Sequence, residues 1–251
     1  MTSAQTMLTR CLLLGLLVLA APLAGCQRLV EPATLTSPHL REQLWAVMPP
    51  ANESGVSIVE TDRIADMFAR EMQQVMGINV IPVNRVLKTM RDLKMDRVET
   101  AGDARVLLNA LQADGLIIGS VTAWDPYPPM TLGLAIELYA GERINRMHAL
   151  DTIALTRSAT AHAAPGMFSS GEPVTQVAGM FDASNHNTIA RLERYATGRN
   201  VPDSAYGKDI YLVSMDLYTR FVSFCLLEEL LQREQRRLEL AAADETGSDT
   251  R

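Results

Sequence analysis

The chain has 251 residues, with 23 basic against 29 acidic side chains and a formal net charge of −6. That balance provides no electrostatic footprint for nucleic acid and no polybasic patch for anionic lipid. Hydrophobic residues make up 47% of the chain, enough apolar material for one large domain or two small ones.

Chain order begins with a targeting pattern. Arg10 is followed by an apolar run from Cys11 to Ala24, and the run ends in Leu23-Ala24-Gly25-Cys26. The run is too short for a spanning helix, which needs ~20 apolar residues, but it has the charge, length and small-residue ending of a secretory signal. Leu23, Ala24, Gly25 and Cys26 resemble a bacterial lipobox. In lipoproteins with this motif the signal (here 1–25) is removed, and the new N-terminal cysteine, here Cys26, carries the lipid. The mature chain then has 226 residues and a balance of −7, since Arg10 is the only charge lost. One acyl chain binds a bilayer only marginally, so stable anchoring relies on two or three, palmitate among them. With Cys11 removed and Cys26 acylated, Cys225 is the last thiol and no intramolecular disulfide can form.

Residues 26–41, polar and containing Pro32 and Pro38, read as a lipidated flexible tether. A single α/β domain is expected over 42–240. Leu44–Met48 is a buried strand stopped by Pro49-Pro50. A polar loop leads to an amphipathic helix with Ile64, Phe68, Met72 and Val75 on one face; Thr61 or Asp62 is its cap and Gly77 its stop. Ile78–Val83 is a second strand, and Asn84 caps a second helix. A third helix spans about 102–112, with Ala104, Leu107, Leu108 and Leu111 inward. Leu116–Trp124 is the strongest strand signal. It is followed by a proline-stiffened loop, Asp125–Pro129, and by Met130–Tyr139, whose alternation puts Leu132, Leu134, Ile136 and Leu138 on one face.

Ala149–His162 reads as a fifth strand, and about 184–195 as a helix capped around Asn185-His186-Asn187. From Lys208 to about Leu240 a long helix carries an apolar stripe too wide for a surface helix, so it either packs on the sheet or forms an interface. Asp216 and Arg220 within it argue against a membrane span. Residues 241–251 read as a disordered tail. The fold class is therefore α/β: a mixed sheet flanked by helices, in the order β-α-β-α-α-β-β-β, with a long C-terminal helix.

The segment Trp45–Tyr139 resembles a group of bacterial envelope lipoproteins, the CsgG-like and LpoB-like proteins, with the amino-terminal domain of TolB as a relative. The shared pattern is Leu44–Pro50 leading to Ala51–Gly55, then a helix and Gly77–Pro82. Leu111–Val121 completes it, a helix end, an Ala-Asp turn and a glycine-containing central strand. The resemblance covers about 95 residues and implies a non-catalytic scaffold serving envelope assembly or export. The pore-forming branch needs additional membrane-crossing hairpins of ~9–11 alternating residues, and residues 164–207 do not alternate cleanly.

Chemistry-bearing motifs are few. No phosphate loop, dinucleotide fingerprint or nucleophile elbow is present. His39, His148, His162 and His186 lack metal-ligand spacing, so neither a metal nor a cofactor is expected and no residue is assigned to catalysis. Cys225 lies in an apolar run and reads as a buried small hydrophobe. Glu228, Glu229 and Glu234, beside Arg233, Arg236 and Arg237, read as a solvated helix face. Trp124 and Tyr127, flanking a rigid loop, are candidates for partner contact; the alternative tucks both rings onto the sheet.

These readings converge on a non-enzymatic lipoprotein, held by its acyl chains on the periplasmic face of the outer membrane, where Gln27 after the cysteine suits outer-membrane sorting. In a host with one membrane it would stay on the cytoplasmic membrane. Its partner is an unidentified envelope protein. The alternative is a subunit of an oligomeric, CsgG-like outer-membrane secretion channel, which keeps homo-oligomerisation open.

Overall fold

The β-strands and helices follow from where apolar residues recur along the chain. The computed structural model describes residues 31–141, 173–199 and 206–248, which apart from Glu31 belong to one compact unit, Pro32–Arg251. The strands are β1 (Gln43–Val47), β2 (Ala51–Asn52), β3 (Ile78–Val80), β4 (Gly115–Asp125), β5 (Thr131–Ala140) and β6 (Thr175–Asp182). The helices are α1 (Thr61–Met72), α2 (Val83–Asp92), α3 (Ala101–Leu111), α4 (His186–Ala196) and α5 (Met215–Ser248), with a 3₁₀ turn at Gly207–Leu212. The expected mixed α/β sheet with flanking helices and a long C-terminal helix is what forms.

Strand order is β3-β1-β4-β5-β6, with β2 also pairing β4. The β1, β2, β3 and β4 pairings are parallel; β4, β5 and β6 form an antiparallel meander. Period-two alternation divides the sheet between two cores. One face gathers Trp45, Val47, Ile117, Val121 and the leucine row of β5 against α1, α4 and α5. The other gathers Ala46, Met48 and Leu116 against α2 and α3. Leu132, Leu134, Ile136 and Leu138 are all buried, as their alternation requires.

Helix ends differ from the expected caps. α1 starts after Glu60 and α2 after Pro82, neither with a side-chain cap, so Thr61, Asp62 and Asn84 lie inside their helices. Pro82 sets the backbone for the first turn without needing a donor. α3 has a reciprocal capping box between Thr100 and Asp103, a signature present in the sequence. Asn185 caps α4 by accepting from the Asn187 N–H at 2.8 Å. Gly77, at φ +86°, turns the chain into β3 where a side chain is strained.

One expectation is left aside and others are corrected. The fifth strand at 149–162 lies outside the described residues. The strand that completes the meander is β6, in a stretch whose Gly179 and Met180 break the alternation. The long helix begins at Met215 rather than Lys208, because the preceding residues form a 3₁₀ turn. It continues to Ser248 through residues read as a disordered tail, where Ala241–Ala243 favour helix. Of its two possible roles, the wide stripe is core: Tyr218, Phe221, Val222, Cys225, Leu226, Leu227 and Leu230 are buried on the sheet.

The supposed tether is partly docked. Ser37 N–H donates to Met76 O at 2.8 Å, Met76 N–H donates to Leu35 O at 2.9 Å, and Leu35 packs on the larger core. Arg199 acts as a clamp. Its guanidinium lies 4.3 Å over the Tyr195 ring and 4.9 Å over Phe224, and donates to Tyr195 O and to Ala33 O, at 2.8 and 2.6 Å.

Glu234 is the clearest departure from the expected solvated face. It is 1% exposed, accepts from Thr175 Oγ1 at 2.8 Å and from Arg237 at 2.8 and 2.5 Å, and lies 3.6 Å from His39 Nε2. Spacing alone made it a surface residue; the approach of β6 and of the segment before β1 buries it. Burial by itself raises a carboxyl pKa, but Arg237, Thr175 and His39 outweigh it and hold Glu234 below its ordinary range. On α1, Glu71 is likewise buried and takes Arg220 Nε at 2.6 Å from α5.

Two predictions follow from this packing. A carboxyl with a lowered folded pKa adds stability that is full above the unfolded value of about 4.3 and lost as pH falls through the folded value. Glu234→Gln is therefore expected to lower unfolding free energy at pH 7 by about 2 kcal/mol, the gap closing below about pH 4 in urea titrations. Burial pushes the Cys225 thiol up to about 12, so maleimide at pH 8 should leave Cys225 unlabelled in the folded protein and label it in denaturant, read by peptide mass.

Candidate binding groove at the carboxyl end of the sheet

Open parallel sheets bind ligands beyond the carboxyl ends of their strands, at the point where strand order reverses. Here the crevice beyond β1 is filled by the chain itself. Pro49-Pro50 leads directly to β2, which pairs Ala51 with Ser120 and Asn52 with Val121 along β4. The accessible concavity lies further out, beyond the carboxyl end of β4.

β4 carries Trp124 to the rim of the sheet, paired with Leu132. Asp125 then accepts the Tyr127 N–H at 3.0 Å, and this turn, followed by a cis Pro128–Pro129 bond, starts the return into β5. The two aromatic rings part company. Trp124 packs against the larger core, whereas Tyr127 is 71% exposed. Trp124 thus takes the packed position of the second alternative, while Tyr127 stays off the sheet.

Trp124 and Pro126 form one wall of a cavity of about 300 Å³; Ile64 and Met67 of α1, with Ser214, Met215 and Thr219 at the start of α5, form the others. Trp124 Nε1 is buried, with no hydrogen-bond partner among the described residues. Ile58, another lining residue, and Val213, just before α5, are exposed beside it.

Arg63 joins the two helices across the groove. Its Nε and Nη2 donate to the two carboxylate oxygens of Asp216 at 2.6 and 2.5 Å, and Nη1 lies 3.4 Å from Glu60. The hydrogen bonds and charge of Asp216 hold the guanidinium protonated far above its ordinary range. Residues 153 apart form this fork, and nothing in the local sequence of either announces it.

The lining offers apolar walls and a satisfied ion pair. Among the described residues no hydrogen bond connects the Ser214 or Thr219 hydroxyl to a base, and no cluster of three histidine, cysteine or carboxylate side chains is placed to hold a metal. No helix among them is long and apolar enough to cross a membrane. Leu23, Ala24, Gly25 and Cys26 lie outside the described residues.

No protein-family model matches the chain, and no curated protein matches it. Among solved structures it is similar to lipoprotein GNA1162 from Neisseria meningitidis, with 15% identity over 62% of this chain and 95% of that one, at TM-score 0.35. It is also similar to the LpoB C-terminal domain from Salmonella enterica, with 12% identity over 40% and 73%, at TM-score 0.32. A third is a PelC dodecamer from Paraburkholderia phytofirmans, with 14% identity over 44% and 67%, at TM-score 0.27. Bacterial lipoproteins are thus among its structural neighbours, at a likeness too slight to transfer family or function.

The contrast between the two rings is testable. Tyr127→Ala is expected to change unfolding free energy by no more than about 0.5 kcal/mol, whereas Trp124→Ala should cost about 2 kcal/mol through lost packing. Equal losses in urea titrations would contradict this division between an exposed and a packed ring.

Proposed function

We propose that this chain is a lipid-anchored, non-enzymatic accessory of the bacterial cell envelope that acts by binding another protein. The observation that carries the reading is Leu23-Ala24-Gly25-Cys26 at the end of an apolar run, which implies acylation at Cys26. Gln27 favours the periplasmic face of the outer membrane.

The architecture supports this reading mechanically. Ala33 is clamped by Arg199, and Leu35 and Ser37 are bonded to Met76, just beyond the C-terminal end of α1. Seven residues connect Cys26 to Ala33, a reach of at most about 25 Å. The groove lies at the opposite, N-terminal end of α1, a 12-residue helix about 18 Å long. The segment leading to the anchor and the surface offered to a partner are thus at opposite ends. Trp124 and Tyr127 are the contact residues of this reading.

The channel alternative receives no support from the described residues: Thr175–Asp182 is a strand of the domain's own sheet, its Val177 and Phe181 in the core.

Replacing Cys26 with Ser should move the protein from the membrane pellet to the soluble fraction. Continued sedimentation of Cys26→Ser with membranes after a carbonate wash would overturn the anchoring.

A further inference from the structure

Residues 32–37, the strap that enters ahead of β1, lie on a domain whose buried core does not include them. Pro32, Ala33, Thr34 and Thr36 are exposed, Leu35 is half-buried and Ser37 is buried. Leu35 packs on the larger core from outside its buried set. Pairing with the rest of the backbone is one isolated parallel bridge, Thr36 to Met76, rather than a ladder.

The clamp does not need the strap to keep its place. Arg199 stacks on Tyr195 of α4 and Phe224 of α5 and donates to Tyr195 O. Losing the strap removes its acceptor at Ala33 O and leaves those contacts standing. Beneath the strap is a cavity of about 30 Å³, with Glu71, Val75, Arg199 and Phe224 on the domain side. Glu71 Oε2 and Arg199 Nε are buried with no hydrogen-bond partner among the described residues. Burying such atoms removes hydration that nothing replaces, so docking carries a cost that undocking relieves.

We infer that the strap is a releasable clasp: residues 32–37 leave the surface as one unit, hinging at Pro38, while the sheet and its helices stay folded. Segments with few buried apolar contacts open locally, far below the free energy of global unfolding. His39, packed beside Glu234, is the fixed side of the hinge. Docked, the seven residues from Cys26 to Ala33 reach at most about 25 Å; released, the twelve to Pro38 reach about 40 Å. With the anchoring proposed above, the clasp gives the domain two heights over the membrane. The opening itself does not depend on that reading.

The test is amide hydrogen exchange of the full-length protein in mild detergent, read residue by residue by mass spectrometry in urea below the unfolding transition. Two amides report the contact from its two sides: Ser37 N–H, bonded to Met76 O, and Met76 N–H, bonded to Leu35 O. Both are expected to show matching protection and to exchange about a hundredfold faster than β5 amides, independently of urea. Arg199→Gln removes a charge-assisted bond and should speed both about tenfold. Leu35→Ala, a change in the strap alone, should speed both and leave β5 unchanged; it decides the matter if Arg199→Gln also loosens β5.

Exchange of Ser37 and Met76 in step with β5, with the same urea dependence, would overturn the inference by making the strap part of the cooperative core. No protection at either amide, or no response to Leu35→Ala, would overturn it as well. The measurement repeated on Cys26→Ser gives the opening without the anchor, so failure of the clasp and failure of the anchoring are separate results.

Discussion

The structure depends on α5 covering the apolar face of the meander. β5 places Leu132, Leu134, Ile136 and Leu138 on one side, and β6 adds Val177 and Phe181. A two-sided sheet with one face so apolar is stable only if a layer closes over it. α5 is that layer, and its aromatic residues interlock with those around it. Phe221 meets Phe181 edge-on at 5.8 Å and Tyr195 at the same distance, while Phe224 lies 5.1 Å from Tyr195. Because α5 is held by the sheet, its polar attachments can be specific: Asp216 and Arg220 reach α1, and Glu234 reaches β6 and the segment before β1.

Those attachments make one buried carboxylate answer for several parts of the molecule. Glu234 receives Thr175 at the start of β6 and Arg237 on its own helix, and lies beside His39 in the entering chain. A hydrophobic side chain there would fill the space, and such replacements are often neutral or stabilising in themselves. What the carboxylate adds is register. It sets where the edge strand begins relative to α5, and Arg233 reinforces this by donating to Gln176 O on β6 at 2.6 Å. That bond also occupies an acceptor on an edge strand, one way in which such edges are kept from pairing elsewhere.

What was legible in the sequence was whatever depended on local periodicity. The helices α1, α3 and α4, the strand β4 and the leucine row of β5 all follow from spacing within about ten residues. The errors have the same origin in reverse. Glu234 and its arginine neighbours have the spacing of a solvated face; Arg233 and Arg236 are indeed exposed, and only the approach of residues far away in the chain buries Glu234. β6 was missed because Gly179 leaves no side chain on the face under α5 and Met180, 72% exposed, puts an apolar one on the opposite face, so the apolar–polar alternation is interrupted. At the groove, the rigid loop with Trp124 and Tyr127 was visible. The opposite fates of the two rings, and the Arg63–Asp216 fork, are set by tertiary packing.

The positions of the clamp and the groove connect the fold to the proposed role. In the proposed role, a free tether over 26–41 would let the domain range up to about 50 Å from its anchor and present any face to a partner. Docking of Ala33, Leu35 and Ser37 would remove much of that freedom, because the strap is held by a stacked guanidinium, a half-buried leucine and two backbone bonds. Under the proposed anchoring at Cys26, a shorter tether would confine the domain to a thinner layer near the membrane and raise its effective concentration for partners in that layer. The same Arg199 stacks on Tyr195 and Phe224, which belong to the aromatic layer that α5 completes. The docking of residues 33–37 is therefore governed by the packing that closes the core: loosening α5 would release the strap as well as expose the sheet.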